Sequence, residues 1–184
     1  MYDYIPIKIL LLGDIGAGKS SLCYLLTDKK QDCTYTPTLG IDYYTRIIFK
    51  NNVKYRFHIW DTTGQEKYKH LISCYFKIST IIILVFNMND KNAYDSIVNW
   101  YNFITHDGNT TPIFLIGNMC DLPINADIEK IKTFVVCHNL MYIEISIKNN
   151  INCANITDII LGIKQPLVYT NLNASTNKMC CNIC

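Results

Sequence analysis

Arginine is almost missing from this 184-residue chain: Arg46 and Arg56 are the only two, and lysine supplies the other basic side chains. With a formal net charge of +2, that excludes a dedicated nucleic-acid binder, which gathers basic residues into stripes. Charge of either sign is scarce, at 17% against the roughly 25% usual in soluble proteins, while 49% of residues are hydrophobic. Such a composition excludes disorder over most of the length and predicts one compact domain. Long apolar runs are also missing. The longest, Ile78 to Phe86, falls far short of the ~18 residues that cross a bilayer, so membrane contact is expected only through an anchor. Met1 to Tyr4 carries no basic cluster, and Ile5 to Leu12 is too short for a secretory core. The nine cysteines are therefore expected as thiols in the reducing cytosol, and the sequons at Asn109, Asn155 and Asn173 as incidental.

What is present is a set of short, nearly continuous apolar runs, Ile7 to Leu12, Ile81 to Phe86, Ile113 to Ile116 and Met141 to Ile145. Runs of this kind suit parallel strands buried on both faces. Between them lie helical spacings, Ala93, Ile97, Trp100 and Ile104, then Ile128, Ile131 and Val135. Arg46 to Phe49 and Lys54 to Ile59, joined through Asn51-Asn52, read as an antiparallel hairpin at a sheet edge. The pattern is α/β. No internal repeat appears. Residues 1–164 are expected to form the domain, and residues 165–184, polar and without periodicity, a flexible tail.

Directly after the first strand comes Gly13-Asp14-Ile15-Gly16-Ala17-Gly18-Lys19-Ser20, which fits G-x-x-x-x-G-K-[ST] and runs into the helical Ser21 to Leu26. Glycines let backbone N–H groups curl around a phosphate, the helix N-terminus adds positive partial charge, Lys19 a full charge, and the Ser20 hydroxyl a ligand for Mg²⁺. The hairpin ends in Trp60-Asp61-Thr62-Thr63-Gly64-Gln65. There Asp61 suits Mg²⁺ through water, Gly64 N–H a γ-phosphate, and Gln65 the orientation of an attacking water. Thr38 offers a second hydroxyl to the metal. Two further loops, Gly117-Asn118-Met119-Cys120-Asp121 and Ser146-Ile147-Lys148, also follow predicted strands, at the carboxyl ends where open α/β sheets bind ligands. A carboxylate at Asp121 accepts hydrogen bonds from guanine N1–H and the 2-amino group, whereas adenine offers neither. Such sites discriminate by about 10⁴ to 10⁵.

These residues resemble the Ras superfamily of small GTPases and, within it, the Rab family. The Rab-like segments are Leu39-Gly40-Ile41-Asp42-Tyr43, Phe57 to Asp61, Lys67-Tyr68 through Ser73-Cys74-Tyr75-Phe76, and Tyr94 to Trp100. The resemblance implies a P-loop G domain: a six-stranded, mostly parallel sheet with one antiparallel edge strand and about five helices. It also implies a switch that binds GTP or GDP with Mg²⁺, hydrolyses GTP slowly, and recruits effectors in vesicle trafficking while its two loops order around the γ-phosphate. Carried over residue by residue, it assigns the nucleotide to Asp14 through Ser21, Gln31, Tyr35, Thr38, Gly64, Asn118, Met119, Asp121, Leu122, Ser146, Ile147 and Lys148. Effectors are assigned to Leu39, Ile41, Tyr43, Trp60, Tyr68 and Tyr75, with Tyr43, Trp60 and Tyr75 as an aromatic triad. The expected partners are exchange factors, GTPase-activating proteins, effectors, Rab escort protein and GDP-dissociation inhibitor, and the chain is expected to act as a monomer.

Several positions depart from the family. Met119 stands where N-K-x-D has lysine; it covers a base but has no strong donor. Gln31 replaces an aromatic that stacks on guanine, and Ile147 the alanine of S-A-K. These changes predict faster nucleotide exchange. Ile15, β-branched where Rabs have a small residue, and Thr63, in place of the alanine of D-T-A-G-Q-E, predict slow or poorly stimulated hydrolysis. The chain ends Met179-Cys180-Cys181-Asn182-Ile183-Cys184. Cys181 and Cys184 have zinc-like C-x-x-C spacing without a second pair. Adjacent cysteines on a polar tail instead resemble Rab geranylgeranylation sites, with Cys184 a third candidate in a loose C-a-a-X. Lys178 adds little attraction to a membrane, and stable anchoring takes two signals, so prenyl groups are expected on Cys180 and Cys181, holding the protein reversibly on the cytosolic face of a membrane. A different class of protein, a constitutive scaffold or decoy with a degraded guanine pocket, is the alternative, and an ATP-using P-loop protein a third.

Overall fold

Residues 4–29, 38, 40–64, 69–106 and 108–162 are described in the computed structural model of the chain. They run β1 (Ile5–Leu12), α1 (Lys19–Thr27), β2 (Ile41–Lys50), β3 (Val53–Thr62), α2 (Lys69–Ser73), β4 (Ile81–Asn87), α3 (Ala93–Thr105), β5 (Ile113–Asn118), α4 (Ile128–Cys137), β6 (Met141–Glu144) and α5 (Ile156–Gly162). The sheet order is β2-β3-β1-β4-β5-β6, with β2 antiparallel to β3 and every other pairing parallel. This is the expected small G-domain topology.

Period-2 side-chain alternation splits β1 between two cores. Ile7, Ile9 and Leu11 join Leu22, Cys23 and Leu26 of α1 and Ile156, Ile160 and Leu161 of α5 on one face. Leu10 and Leu12 meet Ile72 of α2, Ala93, Ile97, Trp100 and Ile104 of α3, and Ile131 and Phe134 of α4 on the other. Each fully buried Ile or Leu contributes about 1.5–3 kcal/mol, so the central strands, covered on both sides, anchor the sheet.

The hairpin is longer than its apolar runs predict. Asn51 and Asn52, at φ 50° and 60°, form the left-handed two-residue turn that matches strand twist. Beyond it the ladder continues to Ile41 opposite Thr62, through Asp42 and Tyr43, because an edge strand needs only backbone partners and tolerates polar side chains on a wet face. Among the described residues no helix is long and apolar enough to cross a membrane. Cys23 and Cys153 are buried free thiols, whereas Cys74 and Cys137 are exposed. Gln31, Tyr35, Leu39, Gln65, Tyr68 and the tail with Cys180, Cys181 and Cys184 lie outside the described residues.

Candidate functional site

The segment between β1 and α1 turns back on itself through Gly13, Gly16 and Gly18, at φ 132°, 79° and 97°. At Gly13 the left-handed conformation coincides with a close approach, since a Cβ there would sit 2.0 Å from the Val85 carbonyl oxygen. Lys19 opens α1 and is buried, its Nζ donating to the carbonyl oxygens of Gly13 at 2.9 Å and Asp14 at 2.8 Å. Burial lowers its pKa to about 8, against the opposing charges of Asp61 and Asp14. The Asp14 side chain faces α3. Trp100 Nε1 donates to Asp14 Oδ1 at 2.8 Å, and Ser96 Oγ donates to Asp14 Oδ2. A carboxylate in a phosphate loop opposes an anionic ligand, and two neutral donors hold this one to the side. Lys69 of α2 lies over the Trp100 ring, 5.2 Å from its centroid, which links α2 to the same clasp.

Asp61 ends β3 beside this loop. It is 1% exposed, and its Oδ2 accepts from Thr38 Oγ1 at 3.4 Å, while Thr38 Oγ1 and Ser20 Oγ are 3.2 Å apart. Burial raises the Asp61 pKa, opposed by Ser20, Lys19 and Thr38. Its Oδ1 is buried with no hydrogen-bond partner, an acceptor whose desolvation needs a cation or a donor to offset it. Two hydroxyls and a buried carboxylate make a hard-oxygen set, which fits Mg²⁺ completed by waters and phosphate oxygens. Thr63 is buried, with its N–H donating to Gly40 O at 2.9 Å. A Cβ on Gly64 would sit 2.3 Å from Ile15 N and 2.4 Å from Asp14 C, so this strand end touches the loop backbone and only glycine fits. The Ile15 side chain is exposed.

A cavity of about 540 Å³ opens beside α1, lined by Gly18, Ser21, Asn118, Met119, Asp121, Leu122, Ser146, Ile147 and Lys148. Every one of these was singled out from sequence, and three separate loops bring them together. Buried Asn118 is the knot: its Nδ2 donates to Ala17 O at 3.0 Å, and its Oδ1 accepts from Ile147 N at 3.4 Å. A Cβ on Gly18 would meet Asn118 Nδ2 at 2.2 Å, so that contact depends on glycine as well. Met119 takes φ 65°, and the Cys120 N–H donates to Ile145 O at 3.1 Å. Ser146 is fully buried and its Oγ accepts from Asn149 N at 3.1 Å, fixing the third loop.

On the outer side, Trp60 stands between Tyr43 and Tyr75, with ring centroids 5.7 Å from each. Tyr43 is exposed and shares a 2.5 Å hydrogen bond between its hydroxyl and His58 Nδ1. Ile41 is half-buried against the same core as Trp60 and Tyr75. Sequence reasoning placed Trp100 in a core-facing stripe, and both Ser96 and Trp100 in a Rab-like segment, but gave neither a role at the phosphate loop. The available signal was that a buried indole N–H needs an acceptor.

Residues 8–164 match the family model described as Ras family. The chain is 32% identical over 158 residues to Ras-related protein SEC4 of Candida albicans, covering 84% of this chain and 75% of that one. It is 31% identical over 178 residues to Ras-related protein RABE1d of Arabidopsis thaliana, covering 94% and 82%. With Ras-related protein Rab-8B of Homo sapiens it shares 28% identity over 179 residues, covering 96% and 84%.

Proposed function

The chain belongs to the Ras family as a Rab-like small GTPase, and we propose that it is a trafficking switch that holds GTP or GDP with Mg²⁺ and recruits effectors in the GTP form. The observation that carries this reading is the joining of the phosphate loop to the cavity by Asn118, which puts Asp121 on one ligand-sized surface with Gly18, the residue before Lys19. Asp121 would read guanine, Met119 would cover the base, and Ser146 to Lys148 would close the far side. Lys19 and the loop N–H groups would hold the phosphates.

Ser20 and Thr38 would bind Mg²⁺ directly and Asp61 through water. A metal held there would supply positive charge that offsets the charge developing on the phosphates during transfer. Gln65 would orient the attacking water. The approach of Gly64 to the Ile15 backbone supports slow hydrolysis, because the β-branched Ile15 side chain leaves from the Cα bonded to the nitrogen that Gly64 approaches. Intrinsic rates in the superfamily are on the order of 10⁻⁴ s⁻¹. Tyr43, Trp60 and Tyr75, with Ile41, Leu39 and Tyr68, would form the effector surface. Residues 1–164 would be the G domain, and prenyl groups on Cys180 and Cys181, with Cys184 as a third candidate, the reversible anchor to a cytosolic membrane face. Exchange factors, activating proteins, escort protein and dissociation inhibitor remain the expected regulators.

Nucleotide released from purified protein by denaturation and identified by chromatography tests the proposal. GTP or GDP supports it, and ATP or ADP sinks it. Protein that carries none and fails to bind added guanine nucleotide supports the second reading, a scaffold for Rab partners. Met119, with no ammonium to bond the phosphate loop, is the observation that favours that alternative.

A further inference from the structure

The face of β2 and β3 that carries Tyr43 and Trp60 continues past the aromatic triad toward the hairpin turn. Cross-strand register pairs Thr45 with His58, Ile47 with Arg56 and Phe49 with Lys54, and the parallel neighbour of His58 on β1 is Lys8. The face is therefore built as two adjacent rows. One row, on β2, is largely apolar and open to water: Tyr43, Ile47 and Phe49 are exposed, Phe49 by 75%. The other, on β3, is basic: Lys54, Arg56 and His58. Cation–π contacts tie the basic row to aromatic rings, with Lys54 Nζ 5.6 Å from the Phe49 centroid and the Arg56 guanidinium 4.2 Å from that of Tyr4. Burial, together with the charges of Arg56 and Lys8, lowers the His58 pKa, so the positive charge of this row rests on Lys54 and Arg56.

Among the described residues no acidic side chain pairs with Lys8, Lys54 or Arg56, and Arg56 Nε is buried without an acceptor. The cations of β2 that do find partners, Arg46 with Asp28 and Lys50 with Asp158, point to the opposite face. Arg56 Nη1 donates to the Tyr4 hydroxyl at 2.9 Å, so an exposed phenylalanine and isoleucine lie beside cations that no described carboxylate neutralises, an amphipathic strip without a complement among the described residues.

We propose that this strip is a docking site for an acidic amphipathic helix of a partner protein, its apolar side on Tyr43, Ile47 and Phe49 and its carboxylates on Lys54 and Arg56. The inference rests on the reading of the aromatic triad as a partner surface and extends it toward the hairpin. From Tyr43 to Phe49 the strand spans about 20 Å, the length of ~13 helical residues. Two rows on neighbouring strands, about 4.8 Å apart, match the adjacent apolar and acidic stripes of such a helix. That narrow linear layout favours a helix over a lipid surface, which needs no rows.

The test uses the full chain loaded with a non-hydrolysable GTP analogue. The probes are two synthetic helical peptides with the same leucine stripe, one flanked by glutamates and the other by glutamines, and binding is read by fluorescence anisotropy. The glutamate peptide is expected to bind about tenfold tighter, with the difference shrinking at high salt. Lys54→Glu with Arg56→Glu is expected to transfer the preference to a lysine-flanked peptide. Phe49→Ser, at an exposed position that folding tolerates, is expected to weaken both original peptides. Equal affinity for the glutamate and glutamine peptides, no peptide binding, or no response to the charge reversal overturns the proposal. So does preferential binding to vesicles of phosphatidylcholine and phosphatidylserine. Chromatography of nucleotide from the same preparation separates the two failures: guanine nucleotide present with no peptide discrimination overturns this inference alone.

Discussion

Replacing Trp100 by Phe removes one donor from the Asp14 clasp and keeps most of the ring. Trp100 Nε1 lies 2.8 Å from Asp14 Oδ1, and the indole is buried in the core that α2 and β4 also line. A hydrogen bond to a charged group contributes about 1.5–3 kcal/mol when shielded. Asp14 is exposed, and water replaces part of the lost bond, so about 1 kcal/mol is the appropriate figure. Lost packing of the three ring atoms that phenylalanine lacks adds a similar amount, for a total of about 2 kcal/mol. For a domain of this size that lowers Tm by roughly 4–8 °C. Functionally the change is expected to loosen Asp14, whose carbonyl oxygen accepts from Lys19 Nζ at 2.8 Å, and to speed release of a fluorescent GDP analogue about threefold to tenfold. The decisive measurement is a double-mutant cycle of Trp100→Phe with Asp14→Asn, by thermal unfolding and by release rate. A coupling of about 1 kcal/mol is expected in stability. If the two substitutions add to within about 0.3 kcal/mol and release is unchanged, the clasp has no role in holding the loop.

Three other outcomes follow from the site. Lys19 titrates at about pH 8 in the fold against 10.5 when unfolded, so burying its charge costs on the order of 3 kcal/mol below pH 8. Between pH 8 and 10.5 the unfolded state holds more protons, and stability from this group rises with pH. Lys19→Met is therefore expected to melt no lower than the parent without nucleotide, while losing affinity at least about 100-fold, as read by calorimetry and nucleotide titration. In the parent, affinity should fall above pH 8 as the ammonium is lost, a slope that Lys19→Met should abolish. Met119→Lys, at a position whose φ of 65° strains both residues equally, should slow nucleotide release about tenfold in the same fluorescence assay. Gly64→Ala forces backbone apart at Ile15 N and should destabilise the protein by about 1–3 kcal/mol in denaturant titration, with hydrolysis lost in single-turnover assays.

Most of the fold was legible because strands covered on both faces must be apolar at every position. β4, all buried from Ile81 to Phe86, is the plainest case. The near half of β2 was not legible, since Asp42, Tyr43 and Thr45 look like loop residues until the β3 backbone pairs with them. The cavity was legible for a related reason. Each of its loops follows a strand end, and the parallel order β1-β4-β5-β6 lines those ends along one edge of the sheet, so residues more than 100 positions apart share a wall. What joins Asp14 to Ser96 and Trp100 has no such marker. The contact spans 82 and 86 residues, it depends on the rotation of α3 about its own axis, and the apolar stripe constrains that rotation only to within a side chain's width. The stripe places Trp100 inward, and its N–H then has to find an acceptor at the helix edge. The only carboxylate the phosphate loop presents there is Asp14, so burying Trp100 and turning that charge away from the phosphate site are one event.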